Sequence, residues 1–511
     1  MLWVPNMADD ALSALERAGL PPPGRRIFCN RTLNLRAVQA IGFDMDYTLV
    51  HYRVDEWERR AYEHLKRRLI ARGFPIEHLR FDTEIAALGL ILDVTRGNIV
   101  KANRFGFVKR AAHGTHMMSF EDQREAYERT IIDLAEKRWV FLNTLFGLSE
   151  ACMFVQLVDL LDAGKLHVSR HAPPGVDPKD PASAGVMSYA QLYEVVRSSL
   201  DATHMEGALK AEIIASPESF VELDPELPLA LMDLSAAGKK LVVITNSEWN
   251  YTLAMMKFAF DRYMPKGKDW RSLFDLVIVG ARKPSFFTER MPAFEVLDDE
   301  GRLFPASGAL QLGKAYLGGH ARLVEASLGI PGEQILYVGD HIFADVNVSK
   351  SVNRWRTGLV LRDLERELDA LESFKPVQRE LTRLMAEKEV LEHRFSQMRV
   401  AAQRIEQGYA PVPAGLSVAT LRARMRELRG ELVALDERIA PLARQSAELV
   451  SDRWGLLLRT GNDKSHLARQ IERHADVYMS RVSNFLFSTP FVYLRSPRGS
   501  LPHDSGPEGG V

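Results

Sequence analysis

Four short apolar runs, each closed by polar or glycine residues, organise the hydrophobic pattern of this chain: Val38 to Phe43, Lys240 to Ile244, Leu276 to Val279 and Ile335 to Val338. They are rich in β-branched residues and largely apolar at consecutive positions, the pattern of strands buried on both faces of a parallel sheet. About 185 residues separate the first run from the second, far beyond an ordinary loop, so an inserted domain is expected over 53–238. It opens with a helical stretch from Trp57 to Lys66, passes through a β-rich piece from Leu88 to Val108, and regains helical periodicity from Phe120 to Leu161. Further on the pattern changes to alternating three- and four-residue steps. Leu364, Leu368, Leu371, Phe374, Val377, Leu381, Leu384, Leu391, Phe395 and Met398 form one seam, and Val418, Leu421, Met425, Leu428, Leu432, Leu435, Ile439 and Leu442 form another. A Gly/Pro break from Gly408 to Gly415 joins them, which predicts an antiparallel coiled-coil hairpin over 364–450. The expected architecture is α/β. Its core spans 26–52 and 239–363, the inserted domain is mainly helical, and a C-terminal helical segment, 451–496, returns to the core. Residues 1–25, with Pro21-Pro22-Pro23, and 497–511 are expected to be flexible tails.

Composition narrows the class. A chain of 511 residues, 46% hydrophobic, can bury more than one core. Its net charge of −1 gives no electrostatic case for nucleic acid or an anionic membrane. Cys29 and Cys152 are too few for a disulfide framework and lack metal-ligand spacing, so buried thiols are expected. No apolar run approaches about 18 residues, and the start from Met1 to Asp10 lacks a basic end and an apolar stretch. Neither a spanning helix nor a secretory signal is expected, which points to a cytoplasmic protein.

The chemistry gathers at the ends of the four runs. The first ends in Asp44-Met45-Asp46, the second in Thr245-Asn246-Ser247, the third in Gly280-Ala281-Arg282-Lys283-Pro284, and the fourth in Gly339-Asp340 with Asp345 beyond. In an extended segment alternate side chains share a face, so Asp44 and Asp46 can converge on one small volume. One can attack phosphorus while the other handles the leaving group's proton. Both are anionic, as a phosphate ester is, and a hard Mg²⁺ held by carboxylates is the natural counterion. Taken alone, Asp-x-Asp also suits a turn cap. Ligands in open α/β sheets collect at the carboxyl ends of strands, which is where all four tails lie.

This set has the motif order of the haloacid dehalogenase superfamily of phosphotransferases, and the chain resembles that superfamily strongly. Asn30-Arg31-Thr32-Leu33, the Asp44 to Leu49 segment, Thr245-Asn246-Ser247, Lys283-Pro284 followed by Phe286-Phe287, Gly339 to Phe343, Ala475 to Tyr478, and Pro490-Phe491 resemble the cytosolic purine 5′-nucleotidase family, in a bacterial-type member. The similarity runs from about Phe28 to Asp504. It implies a Rossmann-like haloacid dehalogenase core with an inserted cap. It also implies Asp44 as nucleophile and Asp46 as general acid and then base. Thr245 and the Asn246 backbone would bind phosphoryl oxygens, and Lys283 would neutralise charge. Mg²⁺ would be held by Asp44, the Asp46 carbonyl and Asp340, with Asp345 orienting Lys283 or metal-bound water. Lys314, after another apolar stretch, is a rival for the lysine role, but its context resembles a segment of the family where lysine has no catalytic part.

Specificity is expected from the cap. Arg197, Asp201 and His204 fall at i, i+4 and i+7 on one helix face, which also suits a surface Arg–Asp pair beside a histidine. In the family this segment contacts the nucleobase, and the match extends through Gly207 to Lys210. An aspartate accepting from N1–H of a 6-oxopurine would favour IMP and GMP over AMP. Phe146 resembles the family's stacking aromatic, or is helix core. Met205 stands where an aromatic is common. Ser351 replaces a basic residue beside Lys350, near the segments with Asn143 and Phe343 that form a nucleotide effector site in animal members, so activation is not expected. The implied activity is Mg²⁺-dependent hydrolysis of purine nucleoside monophosphates, with phosphoryl transfer to a nucleoside as near neighbour, in a homo-oligomer (dimer or tetramer). The alternatives are a phosphatase for another phosphoester and a coiled-coil interaction protein with a vestigial site.

Overall fold

The computed structural model describes residues 20–166, 187–205, 207–410 and 415–497, with the backbone alone for 203–205. The four apolar runs become neighbours in a ten-stranded sheet. Ala40–Phe43 is central, with Ile335–Gly339 on one side and Lys240–Ile244 on the other, both parallel to it. Phe43 pairs with Val243 and with Val338, so three chains leave the sheet at one level. Leu276–Val279 and Lys314–Gly318 continue in parallel, and Ala293–Val296 and Leu303–Pro305 close that edge antiparallel. On the other side lie Arg356–Val360 and Val477–Met479, parallel, and then Phe28–Cys29, antiparallel. The central strand draws its two neighbours from distant, oppositely directed connections, which opens a crevice at the carboxyl ends. Gly42 is required there: a Cβ would lie 2.8 Å from the Tyr337 ring.

The inserted residues leave and rejoin through a two-stranded ribbon in which His51–Tyr52 pairs with Val221–Glu222. Between these strands lie a five-stranded antiparallel sheet, including Ile91–Asp93, Asn98–Ala102 and Val108–His113, and the helices Val54–Ala71, Leu148–Asp162 and Tyr189–Met205. One apolar cluster runs through both parts, holding Phe43 and Leu241 of the sheet with Trp57, Leu157 and Val196 of the insertion.

Leu364–Gln407 and Val418–Ala447 pack along one another through Leu384, Leu391, Leu428, Leu435 and Ile439. The cross-links Lys388–Asp436 and Arg438–Glu380 fix their antiparallel sense. Leu364 and Leu368, which the heptad pattern assigns to this seam, pack instead with Ile342, Leu359 and Leu467 against the sheet. Residues 451–496 are not the purely helical return expected. Besides the helix His466–His474 they supply the strand Val477–Met479, too short to carry a readable pattern. Of the N-terminal tail expected to be flexible over 1–25, the last residues are held: Ser480 Oγ donates to Gly24 O at 2.7 Å, and Arg25 pairs with Glu226 and donates to Ser483. The C-terminal stretch 498–511 and residues 1–19 lie outside the described residues. Cys152 is buried as expected, whereas Cys29 is half-buried. Among the described residues no helix is long and apolar enough to cross a membrane.

Candidate active site

The common exit level of three strands brings their first polar residues together. Asp44 is held as the extension of its strand, its N–H donating to Val338 O at 2.9 Å. The chain then turns sharply, with Thr48, Leu49 and Val50 N–H all directed at Met45 O and Tyr47 at φ 53°. Lys283, buried at the end of the Leu276–Val279 strand, places Nζ 2.8 Å from Asp44 Oδ1 and 2.7 Å from Asp345 Oδ1. It also donates to the Tyr337 hydroxyl at 3.1 Å, which in turn donates to Ile244 O at 3.0 Å. Asn246 brackets the lysine backbone, Oδ1 accepting from Lys283 N at 2.6 Å and Nδ2 donating to Lys283 O at 3.2 Å. Lys314 is elsewhere, at the start of its strand and paired with Glu295.

The carboxylates of Asp44, Asp340 and Asp345 offer oxygens all within 4.8 Å of one another. Burial, opposed by Lys283 and aided by Asp345 and Asp46, pushes the Asp44 carboxyl up to about 7. Burial, then the charges of Asp44 and Asp345, drives Asp340 well above the carboxylate range. Lys283 is desolvated, which alone would lower it, but Asp345 and Asp44 overcome that and hold it firmly protonated. One lysine thus balances two of the three acids. Asp340 Oδ2 accepts a long contact from Thr144 Oγ1, at 3.4 Å. A cluster of hard oxygen donors with one acid left uncompensated fits a divalent cation of the Mg²⁺ kind. Gly339 makes room for the Asp345 carboxylate, since a Cβ there would lie 2.6 Å from Asp345 Oδ2. His341 caps the turn that follows, its Nδ1 accepting from Phe343 N and Ala344 N, and burial lowers its pKa.

Asp46 is outside that carboxylate cluster. Its Oδ1 accepts from the Tyr52 hydroxyl at 2.5 Å and its Oδ2 from Ser247 Oγ at 2.7 Å. The Ser247 contact ties the second tail to the first, and within the second tail Ser247 N donates to Thr245 Oγ1 at 3.0 Å. Lys210 Nζ lies 3.5 Å from Ser247 Oγ and over the Tyr251 ring at 4.9 Å, so this residue of the insertion reaches the site. The other specificity candidates are dispersed. Phe146 packs edge-on against Tyr47 and Trp57, with centroids 4.7 and 5.4 Å away. Arg197 donates to Tyr193 OH at 3.1 Å and lines a cavity of about 1190 Å³ with Asn143, Phe343 and His466. Asp201 is exposed, and the side chain of His204 lies outside the described residues. Lys350 pairs with Asp476. Tyr52, Ser247, Tyr337 and Thr144 were not singled out as site residues from the sequence. Only Ser247 carried a signal, as the third member of Thr245-Asn246-Ser247.

The profile of the 5′ nucleotidase family matches residues 27–506. The chain is 27% identical over 507 residues to human 5′-nucleotidase domain-containing protein 2, covering 94% of this chain and 85% of that one. A 5′-nucleotidase domain-containing protein of Dictyostelium discoideum is 25% identical over 490 residues, covering 94% and 74%. Among solved structures, the archaeal β-phosphoglucomutase of Pyrococcus sp. strain ST 04 aligns with a TM-score of 0.24 and 11% identity over 63% of this chain and 86% of that one, a likeness too slight to carry an argument.

Proposed function

The chain belongs to the 5′ nucleotidase family, and on that premise we propose that it is a Mg²⁺-dependent 5′-nucleotidase hydrolysing purine nucleoside 5′-monophosphates through an aspartyl-phosphate on Asp44. It is a phosphoric monoester hydrolase. In this reading the Asp44 carboxylate attacks phosphorus while the P–O5′ bond breaks, and Asp46 gives its proton to the leaving 5′-oxygen. Water then attacks the phosphorus of the aspartyl-phosphate, the bond to Asp44 breaks, and Asp46 takes the water's proton. Thr245 and the Asn246 N–H bind phosphoryl oxygens, and Lys283 balances charge on Asp44 and the phosphoryl group. Asp44, Asp340 and the Asp46 carbonyl would hold Mg²⁺, which neutralises the phosphoryl oxygens when bound.

The observation that carries the reading is Lys283 Nζ, held 2.8 Å from Asp44 and 2.7 Å from Asp345 where three strands end. Such a site keeps one acid near the charge balance a nucleophile needs while its neighbours remain available to a cation. The core is read as haloacid dehalogenase-like, residues 53–238 as a specificity cap, and the long helix pair as a coiled-coil hairpin serving self-association of a cytoplasmic enzyme. Arg197, Asp201, His204, Lys210 and Phe146 are assigned to the nucleoside, with IMP and GMP favoured. Passing the phosphoryl group to a nucleoside hydroxyl instead of water uses the same residues. One observation favours a second reading, a phosphatase for another phosphoester: Arg197 is engaged with Tyr193 and Asp201 is exposed.

Phosphate release from a panel of nucleoside monophosphates with Mg²⁺ separates the two. The nucleotidase reading expects IMP and GMP to lead, Asp44→Asn to abolish turnover, and Asp201→Ala to flatten the preference. Turnover of other phosphoesters but of no nucleotide would give the site to the second reading.

A further inference from the structure

Asp46 must present its proton to one oxygen and later withdraw one from water, so its carboxyl needs a fixed orientation. Two hydroxyls hold it, one on each oxygen. The Ser247 contact comes from the second motif, but the Tyr52 contact comes from the ribbon through which the inserted residues leave the core. Tyr52 is 3% exposed, and its ring is packed against Tyr47 and Trp57 at centroid distances of 5.2 and 4.9 Å. Its backbone is registered opposite Val221, where the inserted residues return. Behind it the Tyr251 hydroxyl, buried on the helix Trp249–Phe260, donates to Tyr52 OH at 3.0 Å. Tyr52 therefore has a fixed backbone, a clamped ring and a hydroxyl with partners on both sides.

We propose that Tyr52, backed by Tyr251, is the positioning residue that holds Asp46 in register for proton transfer, an inference that rests on the acid–base role assigned to Asp46 above. A phenol hydroxyl both donates and accepts. While Asp46 is ionised, Tyr52 donates to it and accepts from Tyr251. When Asp46 carries its proton, the pair of hydroxyls can reverse, Asp46 donating to Tyr52 and Tyr52 to Tyr251. The carboxyl keeps its partner in both states without the tyrosines gaining or losing a proton. Burial and the neighbouring Asp46 raise both phenols above their ordinary range, which keeps them neutral throughout. Asp46 is the group that exchanges protons with substrate and water; Tyr52 acts only through it.

Leaving-group dependence tests this in the full-length protein with Mg²⁺. A nucleoside leaves as an alkoxide and needs a proton, whereas 4-nitrophenolate leaves without one. Tyr52→Phe keeps the ring and removes the hydroxyl. Single-turnover cleavage of IMP should fall about 10- to 100-fold, a fraction of what general acid catalysis supplies. The nitrophenolate burst from 4-nitrophenyl phosphate, which also counts correctly folded centres, should change by less than about threefold. Tyr251→Phe should show the same selectivity at about two- to tenfold. Equal losses on both esters, or no loss on IMP, would overturn the positioning role. A wild-type protein that cleaves neither ester would defeat the nucleotidase reading itself and this inference with it.

Discussion

Replacing Lys283 by methionine keeps the length of the side chain and removes its charge from between two buried carboxylates. The lysine side chain is 2% exposed, Asp345 1% and Asp44 12%, so solvent screens these contacts poorly. At an effective dielectric of about 20, a contact of this length is worth roughly 6 kcal/mol before desolvation is counted. Loss of one member of a buried pair has a net cost of about 3–5 kcal/mol, because the remaining charge stays buried. Here the survivors are two acids beside a third, Asp340. Burial already raises Asp44 and Asp340 above the ordinary carboxylate range, and without the lysine these two take up protons more readily still. A group shifted in that direction contributes its stability at acid pH and loses it as pH rises. The deficit of Lys283→Met should therefore be small near about pH 4, the unfolded carboxylate value, and reach its full size by about pH 8, above the value of about 7 for Asp44. Trp355 provides the assay, being 1% exposed with its ring 5.9 Å from that of Tyr337, the partner of Lys283 Nζ. Urea unfolding in metal-free buffer, followed by tryptophan fluorescence at both pH values, reads the difference. Equal midpoints at pH 8, or a gap that widens toward acid, would refute the reasoning.

Two further outcomes follow from the same physics. His51 is 4% exposed and desolvated between Arg362 and Arg481, which lowers it to about 4; unfolded it would titrate at its ordinary value near about 6.5. Its neutral burial favours folding above the unfolded value, and that contribution is lost as pH falls through about 6.5 toward about 4, on the order of 3 kcal/mol. His51→Gln should flatten this acid limb in a series of melts, and an unchanged limb would disprove the assignment. Gly339→Ala should displace Asp345, whose carboxylate lies 2.6 Å from the new methyl position. Turnover should drop at least tenfold with circular dichroism unchanged, whereas wild-type rates would show that Asp345 is not needed where it stands.

The central strands were readable because a strand covered on both faces has no polar side to show. The short strands Phe28–Cys29 and Val477–Met479 were not, having too few residues for any period. The candidate acids Asp44 and Asp340 were readable because they stand where apolar runs end, and Asp46 and Asp345 because they follow within a few residues. Their partners were not, since chain proximity does not record them: Ser247 reaches Asp46 across 201 positions and Tyr337 reaches Lys283 across 54. Arg197 and Asp201 share a helix spacing, but spacing alone does not say which element faces them. In the fold Arg197 bonds Tyr193, one turn back on its own helix. The heptad spacing matches the packed seam from Leu381 to Met398 and from Leu428 to Leu442, and fails at Leu364 and Leu368, where the sheet supplies a competing apolar surface.

The proposed mechanism requires Asp44 to carry the phosphoryl group. Acid quenching during turnover of IMP, followed by proteolysis and mass spectrometry under conditions that preserve acyl phosphates, tests this most directly. The prediction is a phosphorylated peptide bearing Asp44 in the wild-type protein and none in Asp44→Asn, which should also release no phosphate. Sustained turnover by Asp44→Asn, or phosphorylation of a different residue, would contradict it.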